Sequence, residues 1–151
     1  MKAHSPYSHR TDPSVPAFPD AGCVVFMDGT CGLCSRGARS IARRDRRGEF
    51  RIATVQSNLG RAVLTHYGID PDDPHSWLYL EHGAPFTGLD AALRVARRLG
   101  GPWRLFAPFG LLPKDARDRL YHFVARNRYR WMGRDDLCAL PDDAVKARLL
   151  E

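Results

Sequence analysis

The 151-residue chain has no apolar run near the roughly 20 residues that a membrane-spanning helix needs, and its first residues lack the apolar stretch of a secretory signal. The expected compartment is the cytoplasm, with no membrane partner. Lysine is scarce. Only Lys2, Lys114 and Lys146 occur, so arginine carries most of the 23 basic residues behind the formal net charge of +6. The arginines are spread over several stretches and interleaved with aspartate, as in Arg43-Arg44-Asp45-Arg46-Arg47, which is the pattern of solvated, pair-forming surface. No nucleic-acid reading module accompanies them, so nucleic acid is not an expected partner. Cysteine is scarce too. Cys23, Cys31, Cys34 and Cys138 are too few for a disulfide scaffold, and a reducing compartment keeps such thiols free between reactions. A structural zinc site needs a second close pair of ligands; Cys23 and Cys138 are single and the histidines form no short pair in the folded region. Neither a metal nor an organic cofactor is expected.

What the sequence does contain is a pair of thiols at a strand-to-helix junction. Val24-Val25-Phe26-Met27 reads as a core strand, Asp28-Gly29-Thr30 as a turn, and Cys31-Gly32-Leu33-Cys34 as the first turn of a helix. At a helix start the unpaired backbone N–H groups and the positive end of the dipole favour an anion, so Cys31 should ionise more readily than a free cysteine. Cys34 lies one turn on, on the same face and close enough for a disulfide. The pair fits a nucleophile, Cys31, and a resolving thiol, Cys34. Asp28 has two readings: it relays the proton of the second thiol, or it makes the turn through side chain to backbone hydrogen bonds. Thr30 reads as a helix cap, and is also one of three candidate substrate contacts with Arg128 and Trp131. The two C-terminal residues, with Tyr129 and Arg130, either line a substrate groove or anchor the chain end to the core. Cys138 is a candidate third thiol, and Cys23 reads as packing.

The size suits one core with extensions. Residues 1–20, proline-rich and without apolar periodicity, read as a disordered arm. Residues 21–100 form the core and 101–151 a helical C-terminal extension packed on it. The expected elements begin with a strand over Cys23 to Met27, a helix from about Cys31 to Arg47 stopped by Gly48, and a strand from Phe50 to Ala53. A helix capped by Ser57 and running to about Tyr67 follows, then a hairpin of Ser76 to Leu80 with Ala84 to Thr87, in which Pro85 marks an edge. A helix from about Leu89 to Leu99 completes a βαβαββα order. In the extension, Trp103 to Phe109 suggests a short helix and Lys114 to Asn127 a longer one with Leu120, Phe123 and Val124 inward. Two strands joined by a helix run parallel and the hairpin adds antiparallel strands, which gives an α/β fold with a thioredoxin-like mixed sheet flanked by helices.

With Asp28, Cys31 and Cys34 placed, the chain resembles the DCC family of thiol-disulfide oxidoreductase-like proteins, named for an Asp-x-x-Cys-x-x-Cys motif. The helix Ser35 to Gly48, the stretch Ala53 to Gly68, the segment Asp90 to Arg94 and the run Tyr121 to Cys138 share the likeness, which covers about residues 22–141. The resemblance implies a thioredoxin-like fold and a dithiol enzyme that exchanges disulfides with a protein or small-molecule substrate and draws on an external reductant. One departure from the thioredoxin pattern is that Pro74 is separated from the third strand by His75 and Ser76, where a cis-proline usually precedes that strand directly. The rival class is a non-catalytic module, either holding a metal through the two thiols or binding a partner through its basic surface.

Overall fold

A computed structural model describes residues 4–73, 77–134 and 142–150. Pro74, His75, Ser76 and Cys138 lie outside the described residues. The first strand, β1 (Cys23–Met27), is buried along its whole length. Its alternating side chains feed two separate cores: Cys23, Val25 and Met27 enter one, Val24 and Phe26 the other. A strand buried on both faces lacks polar positions, which is why this stretch reads as a continuous apolar run. Helix α1 (Gly32–Arg44) follows, then β2 (Phe50–Thr54), parallel to β1. Helix α2 (Asn58–His66) starts at Ser57, whose hydroxyl accepts from the Gly60 N–H at 3.0 Å. The hairpin β3 (Leu78–Glu81) and β4 (Ala84–Phe86) adds two antiparallel strands beside β1, with Pro85 on the outermost one. Helix α3 (Gly88–Leu99), a 3-10 segment (Gly101–Leu111), helix α4 (Lys114–Met132), a single turn α5 (Asp143–Lys146) and a two-residue strand β5 (Leu149–Leu150) complete the chain.

The sheet order is β4-β3-β1-β2-β5. Helices α1, α3 and α5 cover one face through Ala38, Ile41, Ala91, Val95 and Val145, and α2 covers the other through Leu59, Val63 and Leu64. This is the mixed sheet with helices on both faces that the sequence leads one to expect, a thioredoxin-like arrangement. It puts the β1–α1 turn at the carboxyl end of the central strand, where open α/β sheets present ligand sites.

Three expectations need correction. The N-terminal residues are not a loose arm over their described part. His9 is buried and bonds Tyr67 Oη at 2.8 Å and Asp20 Oδ2 at 2.8 Å, while Val15 and Phe18 pack on the α2 face. The C-terminal segment is not purely helical, since β5 extends the sheet beside β2. Helix α4 runs to Met132, and its inward residues are Ala125 and Arg128, with Phe123 half-exposed.

Candidate functional site

Asp28 stands at the end of β1 with its carboxylate only 3% exposed. One oxygen, Oδ1, accepts from the Thr30 N–H and hydroxyl at 2.9 Å each and from Gln56 Nε2 at 2.8 Å. The Gln56 carbonyl accepts in turn from the Gly29 N–H at 3.0 Å, which fixes the turn to the end of β2. The other oxygen, Oδ2, accepts from Arg128 Nη2 at 3.1 Å and from the Tyr129 hydroxyl. Burial alone pushes the Asp28 carboxyl up, but the bonds from Tyr129, the Thr30 N–H and Gln56 outweigh it and hold the group at about 2. The turn-making role of Asp28 is therefore present in the geometry. A group so fully supplied with donors is a weak base, which leaves the proton-relay reading without support.

Thr30 is not the helix cap. That position belongs to Cys31, whose extended backbone leads into α1, while the Thr30 hydroxyl turns back to Asp28. The Leu33 and Cys34 N–H groups face the Cys31 sulfur without closing a full capping bond. A hydrogen bond from the Cys34 thiol is the largest influence on Cys31. With the facing N–H groups and the Arg128 charge it overcomes burial and brings Cys31 down to about 6. Cys34 moves the opposite way: its bond to Cys31 and its burial push it far up. Both thiols are free, and the two share one buried cation, since Arg128 Nη1 lies 3.9 Å from Cys34 Sγ.

The end of α4 lies across this turn. Cys31 pairs with Arg134 as an antiparallel bridge, and the Gly32 N–H donates to the Gly133 carbonyl at 3.2 Å. Gly133 makes this approach at φ +69, and Gly32 permits it, because a side chain there would run into the Met132 carbonyl oxygen. Cys31 is completely covered, with Arg134 paired across it, while Cys34 keeps partial exposure.

Of the residues singled out in the sequence, the structure gathers Asp28, Thr30, Cys31, Cys34 and Arg128. Trp131 is instead half-exposed with its ring edge-on to Phe123, 5.6 Å between centroids. Gln56 was missed, and Tyr129 appeared only as a groove or anchor residue. The signal for Gln56 was its place just past the end of a strand parallel to β1, and that for Arg128 its helical spacing from Ala125 on the inner side of α4. Among the described residues no group of three or more His, Cys, Asp or Glu converges as a metal site would require.

A family model described as DCC1-like thiol-disulfide oxidoreductase matches residues 25–134. The chain belongs to this family. The matched stretch begins in β1 and ends at Arg134, so it contains every residue gathered around the two thiols. A relative in Bacillus subtilis, the uncharacterised protein YuxK, is 39% identical over 127 residues, covering 84% of this chain and 93% of YuxK. A chloroplastic DCC family protein of Arabidopsis thaliana is 33% identical over 118 residues, covering 78% of this chain and 69% of that protein. No solved structure matches.

Proposed function

We propose that this DCC protein is a thiol-disulfide oxidoreductase in which Cys31 attacks and Cys34 resolves. The observation that carries the reading is a pair of free thiols one helical turn apart at the start of α1, with the buried Arg128 guanidinium 3.9 Å from Cys34 Sγ, a setting that draws Cys31 down and pushes Cys34 up. The Cys31 thiolate attacks one sulfur of a substrate disulfide, forms a mixed disulfide and expels the other sulfur as a thiolate, which takes a proton from solvent. Loss of the negative charge on Cys31 removes the largest influence that keeps Cys34 protonated, and with Arg128 at 3.9 Å favouring the thiolate, Cys34 gives its proton to solvent. Cys34 attacks Cys31 Sγ, closes the intramolecular disulfide and releases the second substrate thiol. Two electrons pass to the substrate, and an external thiol reductant returns them. Asp28 acts through Arg128, as a positioning residue that holds the guanidinium beside the thiols. Attack requires residues 132–134 to lift from Cys31, so exchange includes an opening of the α4 end.

Trapping tests this directly. Reduced Cys34→Ser protein incubated with oxidised glutathione should accumulate one glutathione per chain, on Cys31, by mass spectrometry of peptides. The wild type should release the adduct as it forms its internal disulfide. Absence of a Cys31 adduct, or an adduct forming on Cys34 of a Cys31→Ser protein as fast as on Cys31 of the Cys34→Ser protein, would overturn the assignment.

A further inference from the structure

The 3-10 segment Gly101–Leu111 shows apolar side chains that no described residue covers. None of its residues is buried; Leu105 and Leu111 stand 79% and 89% exposed, and Phe106, Phe109 and Leu112 are each more than a third in solvent. A contiguous apolar row of this kind marks an interaction site. The stretch itself is basic, for from Ala91 to Lys114 the chain carries five basic residues and no carboxylate, with Asp90 and Asp115 just beyond its two ends. Glu81 and Glu49 from neighbouring elements engage Arg94 and Arg98, and Asp118 engages Lys114, whereas Arg97 and Arg104 are exposed beside the row. A cleft of about 260 Å3 adjoins it, lined by Arg94, Arg97, Arg117, Asp90 and Gly110. Gly110 belongs to both, so row and cleft are continuous. Arg117 pairs with Asp90, but its Nε has no acceptor among the described residues.

We propose that this face docks on a membrane surface containing anionic phospholipid, with Leu105, Phe106, Phe109 and Leu111 entering the headgroup–acyl boundary and a lipid phosphate seated at the arginine-lined cleft. The contact is peripheral: among the described residues no helix is long and apolar enough to cross a membrane. Charge complementarity selects this occupant. A second copy would set the exposed Arg97 and Arg104 of one rim against the like charges of the other, while anionic headgroups answer them directly. The projecting leucine tips also suit a soft interface, where protein partners favour pocketed anchors. This departs from the expectation of no membrane partner, which rested on the lack of a spanning segment.

Co-sedimentation of the full chain with vesicles of phosphatidylcholine, with and without phosphatidylglycerol, tests the proposal. Binding should be at least about tenfold stronger with phosphatidylglycerol and should weaken as salt is raised. The Leu105→Glu/Leu111→Glu double variant alters only exposed positions and should lose at least about tenfold in binding with Cys31 reactivity unchanged. Arg97→Gln/Arg104→Gln should weaken binding to the anionic vesicles alone. Equal sedimentation with both vesicles, unaltered binding by the leucine variant, or a wild-type dimer in light scattering that this variant dissociates would overturn it.

Discussion

Asp28→Ala should lower the stability of the chain by about 3–5 kcal/mol, measured as a fall in denaturant midpoint at unchanged slope. The carboxylate and the Arg128 guanidinium are 3% and 5% exposed, and without Asp28 the buried cation keeps the Tyr129 hydroxyl and the nearby sulfurs but loses its carboxylate partner. Desolvation makes a lone buried charge far costlier than the pair, so removing one partner destabilises more than the pair itself stabilises. Arg128→Met in the same background should restore part of the loss, because it removes the stranded charge while keeping much of the packing. The acid limb carries the same signature. Since the folded Asp28 sits at about 2, below its unfolded value, its contribution is complete above the ordinary carboxylate range and is lost as pH falls through about 2. The Asp28→Ala protein should lack that part of the acid transition.

Cys31→Ser should reduce disulfide exchange by at least about a thousandfold, because a serine hydroxyl at neutral pH is almost wholly protonated and has no route to a mixed disulfide. Cys34→Ser should leave the first attack in place and abolish turnover. The asymmetry separates this account from one in which both thiols are packing, where the two variants would behave alike. Turnover with a small-molecule disulfide and thiol reductant, compared with the single-turnover adduct rate, distinguishes the two steps.

The parts of the fold that were legible in the sequence are those decided by local pattern. The apolar run of β1, the turn after it and the edge position of Pro85 all follow from residues within a few positions of one another. The errors arose where distant partners decide. Helix α1 ends at Arg44 rather than near Arg47 because the Asp45 carboxylate accepts from the Glu49 and Phe50 N–H groups and from Arg148, drawing the chain out of the helix. The N-terminal residues look unstructured by composition, yet a buried histidine bonded to Tyr67 and Asp20 ties them down, and periodicity carries no trace of such a polar lock. In α4, hydrophobicity alone turns Phe123 inward. The opposite holds, since a carboxylate 100 residues away in the chain makes Arg128 the residue that belongs inside. Strand β5, at two residues, is too short to carry a pattern. At the site, the thiol pair and Asp28 were legible from their motif, whereas the Gln56 and Tyr129 bonds that fix Asp28 depend on β2 and α4 meeting at the end of β1.

The central claim is that Cys31 is the charged sulfur at neutral pH. It is tested most directly by following the ultraviolet absorbance of thiolate in the reduced protein as pH is raised, with Cys31→Ser as the blank. One thiolate should appear with a midpoint of about 6 and vanish in the blank. A midpoint at the ordinary cysteine value of about 8.5, or a signal that persists without Cys31, would contradict the account.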